Sequence, residues 1–249
     1  MRTAQAQFTM NLDLLAAAKA NNLAAALQAI DNGADVTAQM PESDLNAAHY
    51  FAQHHNIEAM EALAQRDASI LLAADDRGYY PTTWLAKKRD IDGVLAMATI
   101  EPAVLTITNA MNYGRTIAHA FAVQDDTEAL ITLAVLNPEL LTIQNACGYT
   151  PVDIFCYRGN NAGVVALSRV CPKAITMHSA QQPDGCNNVT TNLAINNRVT
   201  ELISIGESCP EVKQQRSILG TMMAELAQNR FSGMRYSIAM LEEAGFAKP

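Results

Sequence analysis

The sequence predicts an all-α fold in which pairs of short helices repeat along most of the chain. Glycines and prolines each recur at a nearly constant interval, and apolar residues recur at helical spacing between them. The glycines are Gly78, Gly114, Gly148 and, after a slightly longer interval, Gly185. The prolines are Pro102, Pro138, Pro172 and Pro210, which are 36, 34 and 38 residues apart. Self-similarity at an interval of this size is typical of stacked repeat units.

Small side chains occupy one position of every aligned unit, and apolar side chains follow eight and eleven residues later. The small residues are Ala18, Ala52, Ala86, Ala122, Cys156 and Ala194. Because apolar positions three residues apart share a helix face, each unit predicts a short first helix, a tight turn, a longer apolar second helix and an extended segment. We expect a lead at 1–11, then six units over 12–207 that start near residues 12, 46, 80, 116, 150 and 188.

Capping residues support these boundaries. The first helices are expected to start after side chains that can accept a hydrogen bond from free N–H groups, namely Asn46, Thr116, Thr150 and Asn188. Pro81 and Pro151 fall in the first turn, where a fixed φ favours the helix. The second helices open with acidic residues that suit the positive end of the helix dipole, namely Asp90, Asp92, Asp125, Asp126 and Glu128.

On these features the chain resembles the ankyrin repeat family over about residues 12–207. The closest local matches are TPVDIFCYRGN at 150–160 and NGADV at 32–36, although later units replace the G-A-D-V ending with Pro-x-x-L-T. The resemblance implies a helix-turn-helix solenoid with short hairpin or extended loops between repeats. His49 and His119 match the histidine of the family's T-P-L-H motif, whose role is to link neighbouring turns.

Residues 208–249 are predicted to form an atypical capping unit, since an end unit must cover the exposed face of the stack. This segment holds two helical patterns and four of the eleven methionines. They are Met222, Met223, Met234 and Met240. Methionine packs adaptably, so a cap is a better interpretation of them than a methionine-rich binding groove.

The composition excludes several functions. The 249 residues carry a formal charge of −8, and 49% are hydrophobic, which indicates a folded, acidic protein. Acidic chains do not favour nucleic acid or anionic membranes, and no run of 18 apolar residues predicts a membrane span. The first residues make a poor signal peptide, so we expect a cytoplasmic chain with reduced cysteines.

Sequence motifs give no support for catalysis, a cofactor or a metal. Phosphate-binding, dinucleotide-binding, zinc-protease and serine-hydrolase motifs are missing from the chain. Cys156 could be a nucleophile, but it occupies the small-residue position and is expected to pack between helices. His54 and His55 could be metal ligands, but adjacent side chains on a helix point in different directions and no third ligand is suitably spaced to join them. Trp84 is expected to pack between repeats in preference to lining a groove. We therefore expect no enzyme, and an enzyme that uses Cys156 or the C-terminal helices is the least favoured alternative.

The family resemblance implies that partners bind a concave face formed by loop tips and the exposed side of the first helices. In this chain that face would include Arg77, Tyr79, Lys87, Lys88, Tyr113, Arg115, Gln124, Tyr149, Tyr157 and Arg158. Tyrosine and arginine are common at interface hot spots. Five basic residues and no acid occur among these ten, so the expected partner is a protein or an acidic or phosphorylated peptide.

Two functional interpretations follow. The first is a monomeric, non-catalytic interaction module that serves as adaptor, inhibitor or targeting subunit. The alternative is a bacterial effector that acts in a host cell, suggested by a C-terminal MLEEAGFAKP that loosely resembles tails recognised by secretion systems.

Overall fold

The computed structural model describes residues 4–177, 189–215, 218 and 234–248. Over these residues it confirms the all-α prediction: helices account for the regular structure, and β-pairing is limited to the isolated bridges Gln39–Asn46 and Asn109–Arg115. None of the described helices combines the length and apolar character needed to cross a bilayer. The chain forms two compact units, 1–120 and 121–249.

Unit 1 consists of stacked helix pairs. Its helices are α1 (Ala4–Lys19), α2 (Leu23–Asp31), α3 (Ala47–Gln53), α4 (Ile57–Ala64), α5 (Pro81–Lys87) and α6 (Ile91–Ile100), followed by α7 (Ile117–Val123), in which the division between units falls. First helices pack on first helices, α1 on α3 and α3 on α5, while α4 packs on α6. Part of the predicted lead is helical, because α1 starts at Ala4 and its Gln7 and Asn11 hydrogen-bond to the loop at Gly33 and Asp35.

Unit 2 repeats this arrangement. Its helices are α8 (Thr127–Leu136), α9 (Pro151–Tyr157), α10 (Asn161–Val170), α11 (Pro172–Thr176), α12 (Val189–Ile195), α13 (Val199–Ser208) and α14 (Met234–Glu243). Helix α9 packs on α12, α10 lies between α8 and α13, and α14 packs on α13. The predicted turn and cap residues Gly185 and Asn188, and Met222 and Met223, lie outside the described residues.

The position of small residues identified in the sequence is buried in each helix pair. Its members are Ala18, Ala52, Ala86, Ala122, Cys156 and Ala194, each at most 4% exposed. Short side chains here allow neighbouring first helices to approach closely, and a buried phenylalanine precedes three of them: Phe51, Phe121 and Phe155.

The turn between the two helices of each pair has one repeated geometry. The third residue after the small position adopts positive φ, between 55° and 81°, and the members are Asn21, His55, Arg89, Asp125, Gly159 and Asn197. In the first five pairs the next side chain accepts a hydrogen bond from the N–H three residues on, over 2.8–3.1 Å. Asp90 and Asp126 therefore cap their helices directly, whereas Asp125 forms the turn.

The segments after the second helices begin with a single helical turn, where the sequence analysis expected extended chain. These turns are Ala68–Leu71, Pro102–Leu105, Pro138–Leu141, Pro172–Thr176 and Pro210–Gln214. Proline presets the first helical φ in four of them. In the first three turns the preceding side chain accepts a hydrogen bond from the N–H two residues on, as Glu101 does from Ala103 and Asn137 from Glu139.

The loops before the first helices are held by a buried Asp or Asn. Asp75 Oδ1 accepts from the N–H groups of Arg77 and Tyr79, at 3.0 and 2.7 Å. Asn145 caps its loop in the same way. Tyr80, which directly precedes its helix, is five positions after Asp75, whereas the equivalent Thr116 is seven positions after Asn109. The two extra residues bring Tyr113 and Gly114 into consecutive positive φ values of 56° and 66°.

We expect Gly114→Val to lower the free energy of unfolding by about 1–2 kcal/mol, because a β-branched residue is strained at positive φ. Chemical denaturation followed by circular dichroism measures the change. Gly114→Asn is the matched control, since asparagine tolerates this conformation, and it should retain most of the stability. Equal losses in both variants would show that backbone conformation is not the cause.

Candidate partner-binding surface

Most of the ten predicted surface residues fall at three equivalent positions of the repeat, numbered from its small residue. Seven residues before it are Tyr79, Arg115 and Tyr149; one residue after it are Lys87 and Tyr157; two residues after it are Lys88, Gln124 and Arg158. Arg77 and Tyr113 lie in the loops. The first of the three positions thus lies in the loop before the first helix, and the other two lie at the end of that helix.

In unit 1 the residues at the first two positions, Tyr79 and Lys87, are in contact, and the Lys87 ammonium lies against aromatic rings. The Lys87 ammonium lies 3.2 Å from the centroid of the Tyr79 ring and 4.8 Å from that of Trp84. The two rings are 6.3 Å apart at 72°, an edge-to-face arrangement. Tyr79 and Trp84 are half-buried and Lys87 is exposed. We call these three residues the Lys87 cluster.

In unit 2 the equivalent positions hold two tyrosines. The rings of Tyr149 and Tyr157 are 5.6 Å apart at 78°, again edge to face. Tyr157 is 56% exposed although it is a large aromatic residue, while Tyr149 is half-buried. The same backbone geometry therefore presents a cation on aromatic rings in one unit and an aromatic pair in the other.

The longer loop of unit 1 adds exposed apolar surface. Met111 and Tyr113 are 71% and 61% exposed, and the Arg115 guanidinium lies 5.6 Å from the centroid of the Tyr113 ring. Arg115 also donates to Asn112 Oδ1 at the long distance of 3.5 Å. Arg77, in the preceding loop, is exposed. This loop combines the aromatic, thioether and guanidinium groups that are enriched at interfaces.

The third position has a structural role. Lys88 Nζ donates to the carbonyl oxygen of Gln53 in the preceding repeat. Arg158 Nε donates to Asp125 Oδ2 at 2.8 Å, which forms an ion pair. Gln124, the third member, is half-buried. Two of the five basic residues predicted to attract an acidic partner are thus already bound within their own unit.

Two surface residues escaped the sequence analysis. Trp84 was expected to pack between repeats, yet its ring forms one wall of the Lys87 cluster. Trp84 and Lys87 are three residues apart on α5 and therefore lie on one helix face. This spacing was the signal from which their contact could have been predicted. Met111 was not singled out, although the 36-residue interval before Gly114 already indicated an insertion in that repeat.

The family resemblance implied a link between neighbouring turns for His49 and His119, and His49 makes such a link. The Asn46 N–H donates to His49 Nδ1 at 3.1 Å, so Nε2 carries the proton and donates to the Tyr79 carbonyl at 2.9 Å. Burial lowers the pKa of His49, which keeps the ring neutral. His119 Nδ1 makes the corresponding contact with Thr116 Oγ1 at 2.8 Å.

His54 and His55 make contacts between turns. His54 Nε2 lies 3.1 Å from the Lys19 carbonyl, and His55 Nδ1 lies 3.2 Å from Asp90 Oδ2. Over the described residues no three His, Cys, Asp or Glu side chains converge on a possible metal position.

Cys156 has the environment of a packing residue. It is 4% exposed, and its Sγ lies 3.5 Å from Asn192 Oδ1 on α12. Burial raises the pKa of the Cys156 thiol to about 12, and the charge of Asp153 adds to the increase. Nucleophilic cysteines require the thiolate, which this environment disfavours.

Stacked helix pairs with a common turn, a common small-residue contact and a varied exposed face define a helical repeat protein. A family model described as ankyrin repeats in many copies matches residues 14–64. Residues 14–64 are therefore similar to ankyrin repeats, and the stacked helix pairs of the other described residues are consistent with such repeats. A search of curated proteins found no significant match.

We expect Cys156→Ala to remain folded, whereas Cys156→Leu should lower the free energy of unfolding by about 1–3 kcal/mol, because the added volume must fit between α9 and α12. Denaturation midpoints of both variants measure the difference. A tolerated leucine would contradict close packing at this position.

Asp153 predicts a pH dependence of stability. Its Oδ2 accepts from the Thr150 N–H and hydroxyl, each at 2.8 Å, but burial is the larger effect and raises the pKa of Asp153 from 3.8 to about 6. Between these pH values the folded chain keeps the proton that the unfolded chain has released. The contribution to stability is therefore full below about pH 3.8 and is lost as the pH rises to about 6.

We expect Asp153→Asn to remove this loss, since asparagine accepts the same hydrogen bonds without a charge. Relative to the variant, the wild type should lose about 2 kcal/mol of unfolding free energy between pH 4 and pH 7. Urea denaturation at several pH values measures it, with the exposed Asp13→Asn as the control. Parallel pH profiles for the wild type and Asp153→Asn would contradict the assignment.

Proposed function

We propose that this ankyrin repeat protein binds a protein partner through the loop and first-helix side chains of its repeats, as an adaptor, inhibitor or targeting subunit and without catalysis of its own. Ankyrin repeats are protein–protein interaction modules in general. The observation that carries the proposal is that equivalent positions in both units pair a half-buried tyrosine with an exposed aromatic or cationic side chain. These are Tyr79 with Lys87 and Tyr149 with Tyr157.

Physical chemistry supports these positions as the contact surface. Tyrosine offers a large contact area with few rotatable bonds, so little conformational entropy is lost on binding. The edge-to-face contact of Tyr149 with Tyr157 restricts both rings further. Met111 and Tyr113 in the longer loop add exposed apolar area beside Arg115. A soluble domain has no folding benefit from leaving such side chains in water.

An acidic segment is the partner chemistry that suits unit 1. Lys87 is exposed on the first-helix side, and Arg77 and Arg115 lie in the adjoining loops. The exposed acids Glu42, Asp44 and Asp76 also belong to loops of this unit, whereas Lys87 lies at the end of its first helix. We place the interaction in the cytoplasm, where the free thiols of Cys147, Cys156, Cys171 and Cys209 stay reduced.

We expect the double variant Tyr149→Ala/Tyr157→Ala to lose its partner, with affinity reduced by at least about tenfold, because two hot-spot side chains are removed. Affinity capture from a native lysate, quantified against the wild type, measures the loss. The matched control is Val135→Ala/Leu136→Ala, which removes two exposed apolar side chains from the second helix α8. Capture that is reduced by the control and retained by the tyrosine variant would contradict the proposed surface.

A further inference from the structure

We propose that Lys87 is a preorganised anchor for a single carboxylate of the partner, a glutamate or aspartate side chain, and that Tyr79 and Trp84 are positioning residues that hold it. This inference rests on the proposed function and names the partner group that unit 1 recognises. It follows from the geometry of the Lys87 cluster, from the other charges of unit 1 and from the contrast with neighbouring basic residues.

The first observation is that two aromatic rings already hold the Lys87 ammonium in place. Lysine has four rotatable bonds and in water samples many rotamers, so fixing it on binding costs free energy. In the Lys87 cluster two aromatic rings at 72° already hold the ammonium, at 3.2 and 4.8 Å from their centroids. The negative faces of aromatic rings attract a cation but do not neutralise it. The ordering of this side chain therefore precedes the encounter with a partner.

The second step is that the charge of Lys87 is not compensated. Among the described residues no carboxylate lies within ion-pair distance of its ammonium, whereas Arg158 is paired with Asp125 and Lys173 with Glu139. Lys88, the next residue, donates to the Gln53 carbonyl. An ammonium has three N–H donors, and two rings can engage at most two of them. Lys87 is exposed, so a donor remains for an external anion.

The third step selects a carboxylate over a more highly charged anion. Phosphate and nucleic acid carry several charges and are recognised by groups of cations or by the guanidinium fork. Lys87 is a single point charge in a chain of net charge −8, with Glu42, Asp44 and Asp76 exposed in the loops of its unit. One negative charge matches the single ammonium of the Lys87 cluster, and the methylene groups of glutamate can pack against the half-buried Trp84.

Trp84 makes the site directly observable, because it is the only tryptophan of the chain and lies within the Lys87 cluster. The probe is an N-acetylated, C-amidated peptide of sequence Glu-Leu-Glu, titrated to millimolar concentration into the full chain at low ionic strength. Gln-Leu-Gln, Lys-Leu-Lys and inorganic phosphate serve as the comparison probes. We expect a saturable change of tryptophan fluorescence with the glutamate peptide and a response at least fivefold weaker with the other three.

Variants separate an anchored lysine from general electrostatic attraction. Lys87→Met keeps the length of the side chain and should raise the apparent Kd for the glutamate peptide at least fivefold. The matched control Lys88→Met removes the same charge one residue away and should change it less than twofold. Tyr79→Leu retains the Lys87 charge but removes one ring, and we expect it to weaken binding, which a purely electrostatic role of Lys87 does not predict. Circular dichroism confirms that each variant is folded.

Several results would overturn the inference. Equal effects of Lys87→Met and Lys88→Met would show non-specific attraction, and the lack of a saturable glutamate response would show that no anchor exists. A phosphate response stronger than the glutamate response would assign the site to a phosphorylated partner. If Lys87→Met bound Lys-Leu-Lys more tightly than the wild type, the aromatic pair would be a cation site that Lys87 blocks.

A failure of this inference can be distinguished from a failure of the proposed function. If partner capture depends on Tyr149 and Tyr157 but the peptide response does not depend on Lys87, the proposed binding surface is retained. Only the assignment of Lys87 as a carboxylate anchor is then wrong.

Discussion

Close packing of the first helices at one position governs the rest of the structure. A pair of helices this short cannot bury its apolar side alone, so each pair depends on contact with the next. Alanine or cysteine at the shared position lets the axes of neighbouring first helices approach closely. This approach fixes where the residues before and after the small residue lie in each repeat. Residues seven before and one after the small residue are placed together at the exposed edge, as Tyr79 with Lys87 and Tyr149 with Tyr157 show.

The same packing sorts the basic residues into two groups. A side chain two residues after the small position lies near the turn of the preceding repeat, and Lys88 and Arg158 bind acceptors there. Lys87, one residue before Lys88, instead contacts the aromatic rings of Tyr79 and Trp84 in its own repeat. Adjacent lysines of identical chemistry therefore differ in availability, because they differ in position relative to a neighbouring helix pair.

The sequence predicted the features that depend on local pattern. The interval between glycines, the small-residue position and capping residues such as Asn46 and Thr150 are local, and they correctly located the helices. The helical turns after the second helices were missed because the proline interval was interpreted without the capping side chain before each turn. The partners of Lys88 and Arg158 could not be predicted, since they depend on the reach of long side chains across 33–35 residues of chain. The position of Trp84 depends in the same way on the packing of its ring with Tyr79 and Lys87.

Several hydrogen bonds join the turn regions of successive repeats. The donor belongs to the later repeat and the acceptor to the earlier one in the bonds from Asn56 to Asn21, Arg66 to Asp31, Lys88 to Gln53 and Lys173 to Glu139. The bond from His49 to the Tyr79 carbonyl, by contrast, runs from the earlier repeat to the later one. The first four bonds tie each turn to the one before it, so the loss of one repeat would leave acceptors on the preceding turn without their donors.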